Sequence, residues 1–269
     1  MEIFGLTEGA IRLTAFIAIF GSMAALELWS PRLERAEFQG ALKSKRWLTN
    51  ISILVVSSLM LRLVFPAAAV GVAVLADKHG FGLFNNMALS PVYAGLLCFI
   101  ILDFSVWLEH IMSHKWQWLW RIHRVHHSDT GFDVTTALRF HPLEIVVSMV
   151  WKGAVVALLG APVISVLIFE VVLNGSAMFN HANVKLPLGL DRLLRKAFVT
   201  PDMHRVHHSQ DVDETNSNYG FNFSFWDRLF RTYRAEPRSG MENLAIGLEE
   251  FKSTNAAKFS WALKLPFVR

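Results

Sequence analysis

Residues 144–173 read EIVVSMVWKGAVVALLGAPVISVLIFEVVL, an almost unbroken apolar run. A helix crosses the hydrocarbon core with about 20 apolar residues. This run is longer than one span requires, and Gly160, Ala161 and Pro162 interrupt it at the centre. It reads as a helical hairpin that enters and leaves on one side, or as two short spans. The choice matters because the segments on either side, 109–143 and 174–208, hold ten of the eleven histidines; only His79 lies elsewhere. A single straight span would separate them across the membrane, whereas a hairpin returns both to one face.

Upstream, three further apolar stretches precede the run. Residues 11–29 and 88–108 each have the length of one span. Residues 48–76 contain Arg62 and Pro66 and read as a tilted, kinked span or as a span with a half-turn back. The intervening loop 30–47 carries Arg32, Arg35, Lys43, Lys45 and Arg46, beside Glu34 and Glu37. Basic loops stay in the cytoplasm, and acidic residues count little in that rule. Counting spans from that loop places both histidine-rich segments on the cytoplasmic face. The expected fold is therefore all-α: an integral membrane bundle of about four spans with a cytosolic helical cap. Its parts are N-terminal transmembrane helices over 1–108, a histidine-rich region over 109–235 that includes the hairpin, and a tail over 236–269 with Lys258, Lys264 and Arg269.

Composition agrees. Hydrophobic residues make up 53% and charged residues 18% of the 269, fewer charges than the usual quarter of a soluble domain. Mean hydropathy is +0.35 and the pI about 9.3. Basic membrane-flanking loops account for the net charge of +4, so a nucleic-acid partner is not implied. The one cysteine, Cys98, lies inside an apolar stretch. It excludes an internal disulfide and a multi-cysteine metal or iron–sulfur site, and reads as a small buried hydrophobe.

The histidines fall into boxes. His110 and His114 are spaced i, i+4, one turn apart on a helix that continues the third span. His123, His126 and His127 form HxxHH, and His204, His207 and His208 repeat it within an identical HRVHHS hexapeptide. On a helix these positions share roughly a hundred degrees of arc, so each box is expected to present its nitrogens in one direction. Eight imidazoles exceed what one zinc needs; two ions with four or five each fit the count. Imidazole suits zinc, copper, iron and nickel alike. His141 and His181 flank the apolar run at the same face. Both are counted as candidate ligands; the other reading of each is a supporting or helix-capping hydrogen bond. Asp103, two turns before His110, is placed to accept an imidazole N–H. Arg124 and Arg205, inside the boxes, either pair with a carboxylate or face lipid phosphate. Clustered imidazoles also suit two other classes, a membrane metal transporter and a zinc-dependent membrane hydrolase with Glu109 or Glu144 as base.

These boxes, together with RFHPLE at 139–144, FNHAN at 179–183, Asn218-Tyr219-Gly220 and FWDRLF at 225–230, resemble the fatty acid hydroxylase/sterol desaturase superfamily. The likeness runs over about residues 90–235; these features look like the bacterial sterol-desaturase-like branch and are similar to the alkylglycerol monooxygenases. It implies a pair of iron ions held by the box histidines, O2 as co-substrate and a lipid substrate that is hydroxylated, desaturated or cleaved at an ether. Some relatives carry a fused cytochrome b5 domain, for which this chain shows no motif. An external electron donor is thus expected, either a protein or a reduced pterin.

Overall fold

The computed structural model describes residues 2–3, 6–34, 40–251 and 254–268; Arg35, Glu37 and Arg269 lie outside the described residues. Helices α1 (Glu8–Trp29), α2 (Gly40–Val64), α3 (Ala68–Lys78) and α4 (Pro91–Lys115) are followed by the shorter α5 (Gln117–His127). The hairpin is α6 (Pro142–Leu159) and α7 (Val163–His181), and α8 (Leu188–Leu194) and α9 (Pro201–His207) complete the elements that build the site. Among the described residues the only sheet is a two-residue pairing of Glu2–Ile3 with Leu6–Thr7. Apart from that pairing, the regular structure of the described residues is helical, as expected.

Among the described residues, five stretches are long and apolar enough to cross a membrane: Glu8–Trp29, Gly40–Lys78, Pro91–Lys115, Pro142–Leu159 and Val163–His181. The expected count of about four treated the hairpin as one unit. Gly160 ends α6 in the left-handed conformation with φ +60°, and Pro162 starts α7. That is the usual glycine stop followed by a proline that cannot continue the same helix. α7 runs past residue 173, through Asn174, Gly175 and Ser176, to His181. Those polar and small residues read in sequence as the end of the span, but packing against α1 keeps them helical.

α2 begins at Gly40, inside the expected loop, so Lys43, Lys45 and Arg46 ride on a helix. Pro66 breaks the long second stretch between α2 and α3. Both halves pack along α6, while α1 packs on α7 and α4 on both members of the hairpin. The membrane core joins Ala69, Val70 and Ala73 of α3 to Cys98 and Leu102 of α4 and to Val156, Val166 and Phe169 of the hairpin. Small residues let the helices approach closely. The outward faces are apolar as well: Leu63 is 84% and Ile17 60% exposed. That is the pattern of a surface facing lipid rather than water.

One end of the bundle gathers the polar chemistry. Glu27 of α1 accepts from the backbone N–H groups of Val134 (2.6 Å) and Asn183 (2.8 Å). Arg46 of α2, fully buried, pairs with Asp129 (2.6 Å) and Asp133 (2.9 Å). The opposite end is the α6–α7 turn, against which Leu83 N donates to Leu158 O at 2.9 Å. Both open ends of the hairpin therefore lie at the Glu27–Arg46 end.

Candidate metal centre

The site is assembled from helix termini. α4 carries His110 and His114 in its last turns, and a single residue, Trp116, separates it from α5 with His123, His126 and His127. α9 starts at Pro201 with Thr200 as its cap, the side chain accepting from Met203 N. It presents His204 and His207, and His208 follows at its C-terminus. His181 is the last residue of α7.

These nine imidazoles form two groups, within each of which the candidate ligand atoms lie within 4.8 Å of one another. The first holds His110, His114, His123, His127 and His207; the second holds His126, His181, His204 and His208. The HxxHH boxes do not point as units. In each, the i, i+4 pair goes to one group and the middle histidine to the other. The split is reciprocal: α5 gives its pair to the first group, and α9 gives its pair to the second.

Burial and hydrogen bonds fix the state of the rings. Burial first, then neighbouring imidazoles, hold His126, His127, His204, His207 and His208 well below the ordinary histidine range, and burial pulls His123 down to about 3. The rings are neutral at pH 7, each with one N–H and one lone pair. His110 Nδ1 donates to Tyr219 O (2.8 Å), His207 Nδ1 to Ser217 O (2.7 Å), His181 Nδ1 to Ala177 O (2.7 Å) and His123 Nδ1 to Glu144 Oε1 (2.5 Å). Their Nε2 atoms are thus bare lone pairs.

Those lone pairs face other nitrogens. His110 Nε2 lies 3.2 Å from His123 Nε2, which lies 3.2 Å from His127 Nε2. His181 Nε2 sits 3.1 Å from His126 Nε2, 3.1 Å from His204 Nε2 and 3.2 Å from His208 Nε2. Two bare lone pairs at that distance repel unless a cation lies between them. Ligands about 2.0–2.1 Å from a shared ion are spaced roughly 3.0–3.4 Å apart in common coordination geometries. The donor set therefore fits one metal ion per group.

His141 and Asp103 are not brought into either group. His141 caps α6, its Nδ1 accepting from Leu143 N (3.2 Å), while its Nε2 lies 3.3 Å from Leu263 O. Both ring nitrogens are engaged, which is the capping alternative. Asp103 touches no imidazole; it accepts from Asn222 Nδ2 (2.8 Å) and Trp226 Nε1 (2.8 Å). The segment carrying those two donors, which includes the short helix Phe225–Leu229, fills the space that the helical spacing had assigned to a ring. Arg124 donates to Leu265 O (2.7 Å) and Val268 O (2.5 Å), fastening the C-terminal segment. Arg205 pairs with Asp202 and covers the Phe132 ring.

Two side chains support the rings in a way that the sequence reading did not assign. Glu144, weighed only as a base, holds His123. Asp227 accepts from Tyr219 N and Gly220 N (2.9 Å each) and from Trp107 Nε1 (3.0 Å), so it fixes the backbone whose carbonyl orients His110. A cavity of about 450 Å³ runs from His110, His123 and Glu144 into the membrane-spanning helices. Phe16, Leu54, Val106 and Phe140 are among its apolar walls.

The fold and site define a multi-helix membrane protein with two imidazole clusters, one of which borders a cavity among the membrane-spanning helices. Residues 95–232, which carry all nine clustered histidines, match the fatty acid hydroxylase family, and the chain belongs to that family. It is similar to the ornithine lipid hydroxylase OlsE of Rhizobium tropici, with 32% identity over 56% of this chain and 45% of that protein. It is 28% identical to human alkylglycerol monooxygenase over 65% of this chain and 38% of the relative. With cholesterol 25-hydroxylase of Rattus norvegicus it shares 27% identity over 57% of this chain and 50% of the relative. The matched regions thus span half or less of these relatives. No solved structure gives a significant match.

Proposed function

We propose that this chain is a membrane-bound, di-iron, O2-dependent enzyme that hydroxylates or desaturates a lipid. The observation that carries the reading is the pair of imidazole groups, the first of which opens through His110 and His123 onto a cavity between membrane-spanning helices. Bound iron would supply the O2 chemistry that unactivated C–H bonds demand and that acid–base side chains lack. His110, His114, His123, His127 and His207 would hold one ion, and His126, His181, His204 and His208 the other. The relatives are named for ornithine lipid, alkylglycerol and cholesterol, all amphipathic lipids, which supports a lipid as substrate.

The chain's own residues supply orientation and exclusion. Tyr219 O, Ser217 O, Ala177 O and Glu144 keep protons on the outer ring nitrogens, so the inner nitrogens stay free to ligate. Phe140 and Val106 wall the cavity beside His110 and His123 and exclude water from the reacting carbon. The basic residues of 30–47, Arg32, Arg35, Lys43, Lys45 and Arg46, favour the cytoplasmic side for the metal end. An external protein or a reduced pterin would deliver electrons there.

The test supplies the detergent-purified protein with Fe(II), a chemical reductant, a membrane lipid extract and 18O2. The expected product is a lipid carrying one labelled oxygen, or its desaturated counterpart, with matching O2 uptake. O2 uptake no greater than that of metal-free protein, with no altered lipid, would overturn the proposal.

A further inference from the structure

The cavity has a second polar end. Arg12 of α1 and Lys152 of α6 line it as well. Lys152 is eight residues beyond Glu144 on the same helix, about 12 Å at the helical rise per residue. Behind the two cations stands Glu170 of α7, accepting from Arg12 Nη2 at 2.6 Å and from Lys152 Nζ at 2.8 Å. Arg12 Nε also donates to Glu8 at 2.8 Å.

Charges at membrane depth are costly and are kept for function. An apolar cluster of similar volume would pack there without the desolvation penalty. The four hydrogen-bonded groups balance, two cations against two carboxylates, and Glu109, a third carboxyl group on the cavity wall, adds no positive charge, so the cluster offers no surplus cation to an anion. What it offers is spare donors. Lys152 has three N–H bonds and gives one to Glu170; Arg12 has five and gives one each to Glu8 and Glu170. In a charge-balanced, low-dielectric wall, the complement of spare N–H groups is a neutral acceptor oxygen; an added anion would leave an unbalanced charge.

We propose that Arg12 and Lys152 form an anchor for a hydroxyl or carbonyl oxygen of the lipid, held roughly 12 Å along α6 from the level at which Glu144 meets His123. The substrate is then an elongated lipid with a neutral oxygen at one end of the bound segment and the oxidised carbon at the other. Both anchor residues act on binding and register, not on the chemical step. This rests on the reading of the cavity as the lipid site of an oxidase.

The test is equilibrium binding of tritiated 1-hexadecanol to the full chain in detergent, with unlabelled chains of equal length as competitors. No turnover is needed, so an absence of oxidation would sink the oxidase and leave this result standing. Hexadecanol and methyl palmitate are expected to compete about tenfold or more better than hexadecane, the worth of one hydrogen bond to a charged donor. Lys152→Met should erase most of that advantage and leave hexadecane unchanged, and Lys152→Arg should restore it. The double variant Lys152→Met/Glu170→Gln removes one charge of each sign and guards against unfolding of the single variant. Equal binding of hexadecane and hexadecanol by the native chain would overturn the anchor, as would full discrimination in the folded double variant. Palmitate binding more tightly than hexadecanol would show an anion site and overturn the neutral-oxygen assignment.

Discussion

The two imidazole groups draw on the same repeated box, yet they are held in place by different means. In the five-membered group, His110, His123 and His207 are each pinned through Nδ1 to a fixed acceptor. In the four-membered group only His181 has such a partner, and the Nδ1 atoms of His126, His204 and His208 are buried without one. Those rings are packed instead. His126 stacks on Phe140 at 4.3 Å, and Phe132 lies against His181 and His208. The first group also borders the cavity through His110 and His123. The lesson is a division of labour. Beside the cavity, hydrogen bonds set ring orientation on top of aromatic contacts from Trp120 and Tyr219; away from it, aromatic packing holds most of the rings.

That comparison can be broken at either side. The largest effect is expected from His207→Ala and His126→Ala, each removing a ligand from one group only. Each variant should lose one metal ion and nearly all turnover while still inserting into membranes, as read by metal analysis and lipid oxidation. Full metal and turnover in either would show that its group is not a metal site. A smaller effect is expected from Glu144→Gln, which keeps the shape and removes the carboxylate behind His123. Loss of such a supporting partner costs about 10–100-fold in metal affinity or activity. Titration with Fe(II) should show the loss in the five-membered group alone. The smallest is His141→Ala, which removes the α6 cap. It should lower stability by about 1 kcal/mol, the usual worth of an N-cap side chain, and leave the metal content untouched. His79→Ala, at the exposed far end of α3, should change neither.

Much of this arrangement was readable from residue types. Box spacing identified the eight box histidines, and His181 followed from its place at the end of the apolar run. The glycine–proline break in that run gave the hairpin that brings both histidine segments to one end. The supports were less legible because three of the four acceptors are backbone carbonyls, Tyr219 O, Ser217 O and Ala177 O. Any residue supplies a carbonyl, so no side chain marks them. Asp103 was misjudged for a related reason. Its phase on α4 is that of His110, but the segment carrying Asn222 and Trp226 packs into the gap, and that contact joins residues more than a hundred positions apart. The reciprocal division of the two boxes likewise depends on how α5 and α9 face each other, which local spacing does not determine. The Arg12–Lys152–Glu170 cluster was equally hidden, since its members lie on three helices, each reading as a lone charge in an apolar stretch.

Metal content of protein purified anaerobically in detergent, and of its His126→Ala variant, tests the two-group account most directly. The account predicts about two irons per chain, the preference of imidazole donors for transition metals being shared with zinc, and about half that in the variant. Tight zinc alone, with no iron retained after reconstitution with Fe(II), would contradict it.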